Sequence, residues 1–353
     1  MSATDQTQGE SLAGRLAATA TANVRDKIIG PRPVVYRRRQ REFWLLGAVL
    51  LFALPLLTTG IYGLGVARNA MLLSILALGF YFQFALSGQF SLATGAFYAT
   101  GAFTSAWVSP HGGPAVGFVA AVAVTALLGA LVKLLLSRSP LIQFGIATLS
   151  FSELVFLVYR NWTQFTGGNL GRFGLQSFKV GGYSFNTSTR HYMLLVGFVL
   201  IGVYLLILFE RSPAQRDQIF TRDMGAVAKT TGLRTRRLQI VAFGLGGAYM
   251  GAAGSLFAHT GNFVHPSSFS TEISLEVMIM VLIGGIRSPW GPVVGAIVLT
   301  VLPEWLRPIA HYQDLVYAGG ILVVILLLPG GIVSLPTVVR ARVEPLLAKR
   351  RKT

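Results

Sequence analysis

The sequence predicts an all-α membrane protein with about ten transmembrane helices, arranged as two inverted five-helix halves with broken helices near the centre. Three observations support this fold class. Of the 353 residues, 53% are hydrophobic and 12% are charged, whereas ordinary soluble domains have about 25% charged residues. Apolar runs of roughly spanning length recur along the chain. The basic residues are concentrated in three stretches, as in proteins whose loops are sorted by charge across a bilayer.

The predicted spans begin after a basic tail at 1–41 and fill a transmembrane domain at 42–335, which a second basic tail at 336–353 follows. A soluble helical core would need polar faces, which the apolar runs lack. The run 89–108 is interrupted by glycine and small polar residues. The other apolar runs lie at 43–59, 69–86, 115–136, 141–159, 191–209, 238–258, 273–286, 292–306 and 313–329.

The charge distribution predicts the topology. Residues 1–41, 210–238 and 335–353 carry 21 of the 30 Lys and Arg residues. The positive-inside rule places all three stretches, and therefore both termini, in the cytoplasm. This explanation is favoured over nucleic-acid binding, and the basic ends would also meet anionic lipid. Residues 1–24 lack an apolar signal-peptide core, so we expect 43–59 to be the first export signal. The glycine-rich stretch 161–190 falls outside the cell despite three basic residues.

Five spans in each half, starting on opposite sides, are the geometry of an inverted repeat. Each half has a glycine-broken apolar segment at its third position, 87–102 and 284–296. A broken helix is tolerated in a bilayer where it faces protein or a water-filled cavity, so the pair indicates a central pathway. The alternative is that Gly95, Gly101 and Gly295 only permit close helix packing. The second break motif consists of Gly284, Gly285, Trp290, Gly291 and Pro292.

The polar insert 218–237 lies between two strongly apolar runs. The spacing of its apolar residues predicts a short amphipathic helix on the cytoplasmic side, which ends at Gly232. The stripe consists of Phe220, Met224, Val227, Ala228 and Thr231. Such a helix can rest on lipid or dock into a groove on a soluble partner, and the residues alone leave both open.

Motifs for catalysis are missing from the sequence. The stretch 225–232 superficially looks like a phosphate loop, but it lacks the glycine before Lys229 and follows no soluble strand. The five histidines fall at predicted outer ends of spans, where we expect polar caps and not metal ligands. There is no cysteine, which excludes disulfides, and no nucleophile-elbow motif. We therefore expect a transport protein with no catalytic residue, metal or cofactor of its own.

Several motifs in order are similar to those of a known family. "SGQFSLATGAFYATGAFTS" (87–105) resembles its Gly-Gln-x-Ser-Leu segment, and "IATLSFSELVFLVYRNWTQFTGG" (146–168) its span before a Thr-Gly-Gly loop. "SLEVMIMVLIGGIRSPWGPVVGA" (274–296), "LPEWLR" (302–307) and "LLLPGGIV" (326–333) fit its later spans. From about 43 to 335 the chain resembles the permease subunits of branched-chain (hydrophobic) amino-acid ABC importers, a group that also includes urea and short-amide permeases.

The resemblance implies a cytoplasmic coupling helix within 214–233 that docks on a separate ATP-binding subunit. ATP and Mg would be bound there, and not by this chain. It also implies a second permease subunit (a paralogue), an external substrate-binding protein and a place in the bacterial inner membrane. The family's Glu falls on Gly225, which removes one acidic contact. The expected coupling residues are Arg216, Phe220, Arg222, Asp223, Met224, Val227, Ala228, Lys229 and Gly232.

The expected cargo is a branched-chain or hydrophobic amino acid, with urea, short amides and small aromatic acids as alternatives. The family commonly has Gly-His at Ala93-Thr94 and Gly at Arg287, so these positions differ. A rival class is a secondary transporter or channel that needs no ATPase and uses Glu153 or Glu276 as a proton relay. An interhelical structural role for these two acids is equally open. The expected pathway residues are Ser87, Gln89, Ser91, Thr94, Thr100, Glu153 and Glu276.

Overall fold

A computed structural model describes residues 60–180, 183–185, 187–224, 228, 233–328 and 330–334. All of them belong to one compact unit, Leu54–Thr353. The predicted span 43–59 and both basic tails, 1–41 and 336–353, lie outside the described residues.

The described chain is almost entirely helical. Helix α1 ends in a π-helical turn, Phe82–Leu86, and short 3₁₀ turns lie at Gly168–Leu170, Pro266–Phe269, Arg307–Tyr312 and Ile332–Ser334. The helices are α1 (Gly60–Tyr81), α2 (Thr94–Leu135), α3 (Leu141–Asn161), α4 (Thr163–Thr166), α5 (Ser188–Arg211), α6 (Pro213–Asp223), α7 (Thr235–Gly261), α8 (Thr271–Gly284), α9 (Gly291–Trp305) and α10 (Gln313–Leu327).

Six stretches in the described part of the chain are long and apolar enough to cross a bilayer, and two shorter apolar helices accompany them. This confirms the predicted all-α membrane fold. Every predicted span from 69–86 onward coincides with a helix or half of one, whereas the inverted relation of the two halves stays a prediction. The six stretches are Tyr62–Leu86, Thr94–Leu135, Leu141–Asn161, Ser188–Arg211, Thr235–Gly261 and Pro266–Gly284.

Helix α2 joins the third and fourth predicted spans across a kink. Gly113 has a positive φ of 84° and ψ of 169°, between Pro110 and Pro114. A proline removes one helical hydrogen bond, and glycine adopts this backbone conformation at little cost, so the chain bends here. The first part of α2 is buried almost completely, while the part after the kink alternates between buried and exposed residues.

The core forms where α2 and α7 cross at very short range. A Cβ built on Gly101 would lie 2.5 Å from the Cα of Gly251, and one on Gly254 would lie 2.6 Å from the amide nitrogen of Ala102. Small residues allow this approach, which maximises packing between membrane helices. Close helix packing is therefore observed at Gly101, and also at Gly295, where a Cβ would collide with the carbonyl oxygen of Met280; a pathway role for these glycines stays untested.

One end of the bundle carries the irregular connection between α3 and α5. Strand β1 (Arg172–Phe173) pairs antiparallel with β4 (Phe263–Val264), and β2 (Lys179–Val180) pairs with β3 (Tyr183–Ser184). The predicted irregular loop at 161–190 therefore contains short strand pairs, one of which ties it to the end of α7. We name this the loop end of the bundle, and the opposite end, which carries α6, the α6 end.

Candidate functional site

The chain leaves α1 through a stretch that we name the first break segment, Ser87–Ala93, before α2 begins at Thr94. Ser87 Oγ donates a hydrogen bond to the carbonyl oxygen of Gln83 at 2.6 Å, and the amide of Gln89 donates to the same oxygen at 3.1 Å. These bonds satisfy part of the open helix end inside the protein, as a broken helix in a membrane requires. The predicted break at 87–102 is confirmed for its first seven residues; from Thr94 the segment is helical.

A second segment without α-helix, Asn262–Ser270, connects α7 to α8, and we name it the second break segment. A break is also present within the predicted stretch 284–296, because α8 ends at Gly284 and α9 begins at Gly291. At that place the structure has a tight turn between α8 and α9, where Gly285 has a φ of 119°. Trp290 caps the turn and is 7% exposed. Glycine occurs there because neighbouring backbone leaves no space: a Cβ on Gly285 would lie 2.7 Å from the carbonyl oxygen of Gly330.

The two break segments lead to one place, where the first turns of α2 and α8 meet. The amide of Gly95 donates to Ser274 Oγ at 2.9 Å. A Cβ on Gly95 would lie 3.0 Å from the carbonyl oxygen of Ser270. Two helix beginnings thus come together, and each presents the positive end of its dipole. We name this place the helix junction.

Helix α3 completes the helix junction. Thr148 Oγ1 accepts a hydrogen bond from the amide of Leu92 at 3.0 Å. Glu153 Oε2 accepts one from Thr271 Oγ1, at the first residue of α8, at 2.8 Å. A carboxylate is stabilised at a helix N-terminus by the unpaired amides and the dipole. Glu153 therefore has both a bonding partner and a favourable field, which supports the structural alternative without removing the functional one.

The predicted pathway residues of the first half are covered by neighbouring helices. Thr100 Oγ1 donates to the carbonyl of Ala96 at 2.7 Å and accepts from Tyr159 at 3.0 Å. Gln89 is partly exposed. The side chains of Ser87, Ser91, Thr94 and Thr100 are between 0 and 5% exposed. In this conformation these four side chains belong to the packed interior, and their role in a pathway stays a prediction.

Several exposed polar residues lie instead along α3, among exposed apolar residues such as Leu149 and Leu157. Exposed residues recur along α3 at spacings of three, four and seven, which places them on one face of the helix. Glu153 stands near its centre, and Glu276 on α8 is half-buried. Exposed polar residues on or beside this face are Gln143, Ser150, Glu153, Arg160 and Asn161. An ionisable side chain is costly against lipid, so this face is suited to water or to protein.

A buried lysine in α2 was missed by the sequence reasoning. Lys133 is 2% exposed, and its Nζ donates to Gln89 Oε1 at 2.7 Å. The same ammonium lies 4.5 Å from the ring centre of Phe144 and 5.7 Å from that of Phe243. Such rings attract a cation through their faces. The signal was present in the sequence, because Lys133 lies within the apolar run 115–136, where any ionisable residue is a candidate.

Helix α6 lies at the α6 end of the bundle, beside the start of the first break segment at Gly88. It begins at Pro213, which suits the first helical position, and ends at Asp223, because Met224 has φ −134° and ψ 52°. The predicted continuous stripe from Phe220 to Thr231 is wrong, since the helix is interrupted at Met224. The apolar period alone placed the stripe from Phe220 onward, whereas the helix begins at Pro213. Ala228 is buried; Val227, Lys229 and Gly232 lie outside the described residues.

The face of α6 that packs on the bundle is polar. Gln215, Gln218 and Thr221 are between 2 and 6% exposed, and Gln218 Nε2 donates to the carbonyl of Leu238 at 3.1 Å. Arg216 is exposed and Phe220 is half-buried. The sequence pattern left the apolar stripe facing either lipid or a soluble partner, and it did not indicate that a polar face packs on the bundle. The helix is therefore held by hydrogen bonding and leaves part of its apolar surface at the protein exterior.

At the loop end, a polar network crosses the core. Ser105 Oγ lies 2.7 Å from Ser255 Oγ and 2.9 Å from His259 Nε2, and His259 Nδ1 lies 2.7 Å from the carbonyl of Gln176. His259 thus connects α2, α7 and the loop. His265 accepts from the amide of Ser267 at 3.1 Å, as a polar cap of the turn Pro266–Phe269. Among the described residues, no group of three His, Asp or Glu could hold a metal ion.

Comparison with known proteins gives a consistent family. Residues 62–328 match the family of the branched-chain amino acid transport system permease component. The chain is 28% identical over 324 residues to the high-affinity branched-chain amino acid transport system permease protein LivM of Escherichia coli (strain K12), with 84% of this chain and 76% of that protein covered. The Salmonella typhimurium LivM is 27% identical over the same shares. No solved structure shows a significant match.

A more distant similarity covers a shorter stretch. The autoinducer 2 import system permease protein LsrC of Escherichia coli (strain SMS-3-5 / SECEC) is 28% identical over 143 residues, which is 37% of this chain and 41% of that protein. The relatives thus share one kind of role, as permease proteins of import or transport systems, while their names give different cargoes.

Proposed function

Because the chain belongs to the family of branched-chain amino acid transport system permease components, we propose that it is the transmembrane subunit of an ATP-binding-cassette importer. It spans the bacterial inner membrane with both termini in the cytoplasm, and it forms part of the pathway for its cargo. The ATP-binding subunits, which hold ATP and Mg, are separate chains. The observation that carries this proposal is helix α6, a short polar-anchored helix between two spans.

Helix α6 has the properties of a docking element. It is 11 residues long and follows the span α5 after a single connecting residue, Ser212. Its inner face is fixed by Gln218, which bonds to the carbonyl of Leu238 in α7. Arg216 remains exposed and Phe220 remains partly exposed. A rigid helix with an exposed basic residue beside an aromatic ring suits a groove on a soluble partner, because such residues dominate protein–protein interfaces.

The exposed face of α3 supports a second permease subunit. Glu153 stands on that face at mid-helix, and its cost against lipid is removed when another polar protein surface or a water-filled passage covers it. The paired permease, a paralogue in this proposal, would face α3, and the pathway would run between the two. This placement differs from the expected lining by Ser91 and Thr94, which the structure buries.

The proposed cargo is a branched-chain or hydrophobic amino acid. Support comes from the two LivM relatives, whose names specify branched-chain amino acids. Urea, short amides and small aromatic acids are the alternatives within the group. An external binding protein would deliver the cargo at the loop end, where Gly167, Gly168 and Gly171 have positive φ and shape the connection after α3.

Reconstitution tests the proposal. The chain is purified together with the ATP-binding subunits and second permease of its own transport system, and placed in liposomes with the binding protein. We expect leucine uptake that requires ATP inside the vesicles and the binding protein outside. Competition by urea but not by isoleucine would change the cargo. Uptake by this chain alone, driven by a proton gradient and without any ATP-binding subunit, would establish the secondary-transporter class and overturn the importer proposal.

Topology is tested separately. Reporter fusions at either terminus are expected to be active only when the reporter works in the cytoplasm, since both basic tails are assigned to that side. A periplasmic signal from either end would contradict the orientation. That outcome would also place α6 outside the cell, away from ATP.

A further inference from the structure

The last turn of α6 touches the bundle at the beginning of the first break segment. Arg222 Nη1 donates a hydrogen bond to the carbonyl oxygen of Ala85. The methylene part of Arg222 lies against Gly88, which has a φ of 69°, and a Cβ on Gly88 would collide with it. Gly88 is therefore required both by its backbone conformation and by the approach of Arg222.

The contact suits the chemistry of a helix end. The last carbonyl groups of a helix lack intrahelical partners and carry the negative end of the dipole. Ala85 lies in the π-helical turn that ends α1. An arginine from α6 supplies the missing donor together with a favourable positive charge. Bonds of this charge-assisted kind are about twice as strong as neutral ones.

Asp223 fixes the orientation of Arg222. The Nε of Arg222 lies 2.7 Å from Asp223 Oδ1, and Nη2 lies 3.4 Å from Oδ2. The side chains are 32% and 28% exposed, so they are partly shielded from water. The guanidinium is planar and presents several donors in fixed directions. Arg222 can therefore hold Asp223 and the end of α1 at once, which a lysine at this position could not.

The first break segment connects this contact to the helix junction. One residue after Gly88, Gln89 is bound by Lys133 of α2 at 2.7 Å. Three residues further, the amide of Leu92 is bound by Thr148 of α3 at 3.0 Å. Gly95 then bonds to Ser274 at the beginning of α8. A short segment that is bonded at several points can transmit displacement, because its length limits how far one bonded point moves without the next.

We propose that Arg222 is the positioning residue that couples movement of α6 to the first break segment, and that Lys133 fixes the segment where it passes α2. The inference rests on the proposed function, because it requires a partner that moves α6. When α6 is displaced, Arg222 shifts the end of α1 and Gly88. Lys133 restrains Gln89, so the displacement is redirected along Leu92 to the helix junction. Both groups act through the segment and not through contact with cargo.

The test compares cargo transported with ATP consumed in the reconstituted complex. Arg222→Ala is expected to lower leucine uptake by about tenfold, within the range of measured coupling effects, while ATP hydrolysis stays within about twofold of the unaltered complex. Arg222→Lys restores uptake only in part, since it cannot also bind Asp223. Arg138→Ala, an exposed arginine in the connection between α2 and α3, is the matched control and keeps both rates.

Further variants separate the outcomes. Arg216→Ala changes the exposed arginine of the same helix and is expected to lower uptake and ATP hydrolysis together, because it weakens docking. Lys133→Met is expected to reproduce the Arg222→Ala signature. If Arg222→Ala keeps the unaltered number of leucine molecules per ATP, the coupling role is overturned. If the complex of unaltered chains shows no ATP-dependent uptake, the proposed function fails first, and the two failures are thereby distinguished.

Folding is checked independently of transport. Thermal unfolding and membrane yield of the Arg222→Ala chain are compared with those of Arg138→Ala. A loss of yield together with equal losses of uptake and ATP hydrolysis would mean that Arg222 only stabilises the chain, and this result also rejects the proposal. The combined variant Arg222→Ala, Lys133→Met is expected to be no worse than either single variant, because both interrupt the same connection.

Discussion

The two break segments reach the helix junction in similar ways but are held by different forces. Each follows a long span and precedes a helix whose first turn lies at the junction. The first, Ser87–Ala93, is held by Lys133 through a hydrogen bond to Gln89, while Arg222 lies against Gly88 and bonds to Ala85 just before the segment. The second, Asn262–Ser270, is held by strand pairing and by packed aromatic rings. The bonds of the partly exposed Arg222 can be exchanged by a partner, whereas a buried aromatic cluster resists movement.

This contrast indicates which of the two break segments moves. Phe269 of the second segment is 2% exposed, with ring centres 5.0 Å from Tyr98, 5.5 Å from Phe257 and 5.8 Å from Phe103. Close-packed aromatic side chains have few alternative arrangements. The first segment begins beside Arg222, which lies on α6 at the edge of the bundle. We therefore assign the moving role to the first segment and the fixed role to the second.

Loss of the aromatic anchor should have the greatest consequence. Phe269→Ala should lower the free energy of unfolding by about 3 kcal/mol, because truncating a buried phenylalanine leaves a cavity among the three rings. Thermal unfolding in detergent measures it. Phe263→Ala is the matched control in the same segment, where the ring is 40% exposed, and should change little. Equal effects of the two variants would contradict the fixed role of the second segment.

The next effect concerns the charged anchor of the first segment. Lys133→Met keeps the length of the side chain but removes the charged donor to Gln89, so we expect a loss of about 2 kcal/mol, the contribution of a hydrogen bond to a charged group. Adding Gln89→Leu should recover part of this loss, since both polar partners are then absent. A double-mutant cycle in detergent measures the coupling. Strictly additive losses would show that the two side chains do not interact.

The polar network at the loop end should matter less for stability. Ser105→Ala and His259→Gln each remove hydrogen bonds between helices, which are worth about 1 kcal/mol in membrane proteins. The double variant should cost less than the sum of the singles, because both belong to one network. Unfolding measured by denaturing detergent tests this. Independent effects would mean that His259 is held by Gln176 alone.

Stability should change least at Glu153. Glu153→Gln keeps an acceptor for Thr271 and loses only the charge near the start of α8, worth about 0.5 kcal/mol. For an ATP-driven importer, uptake should persist at a reduced rate. A proton relay predicts instead that uptake is abolished. Liposome uptake at equal protein content separates the two, with Gln143→Leu on the same helix as the control for altered polarity.

Features that depend on local composition could be predicted from the sequence. Apolar length located the spans, and the small and polar residues of Ser87–Ala93 together with its place after an apolar run indicated the first break. The spans 238–258 and 273–286 left the second break segment between them, but its strand and its packing could not be predicted, because Phe263, Val264 and Phe269 read as ordinary apolar residues. Their non-helical state arises from pairing with β1 and from packing on α2, both of which depend on residues far away in the chain.

The residues of the candidate site also divide into those that the local sequence indicates and those that depend on distant contacts. Glu153 and Glu276 could be selected from the sequence because an acid within an apolar run is rare, and the same rule would have found Lys133. The role of Arg222 could not be read, since the carbonyl that it contacts belongs to Ala85, 137 residues earlier. The start of α6 at Pro213 lies within one residue of the coupling helix expected within 214–233, but its end at Asp223 was missed. The apolar period suggested a helix through Thr231, while Pro213 starts it earlier and Met224 interrupts it.

Paired cysteine reporters give the sharpest test of a moving and a fixed segment. The natural chain contains no cysteine, and Ser91 and Val264, one in each break segment, are both 0% exposed. Ser91→Cys and Val264→Cys chains are labelled with a thiol reagent in the assembled complex, with and without a non-hydrolysable ATP analogue. We predict that the nucleotide changes the labelling rate of Ser91→Cys by about fivefold or more and leaves that of Val264→Cys unchanged. A nucleotide-dependent change at Val264→Cys with none at Ser91→Cys would contradict the account.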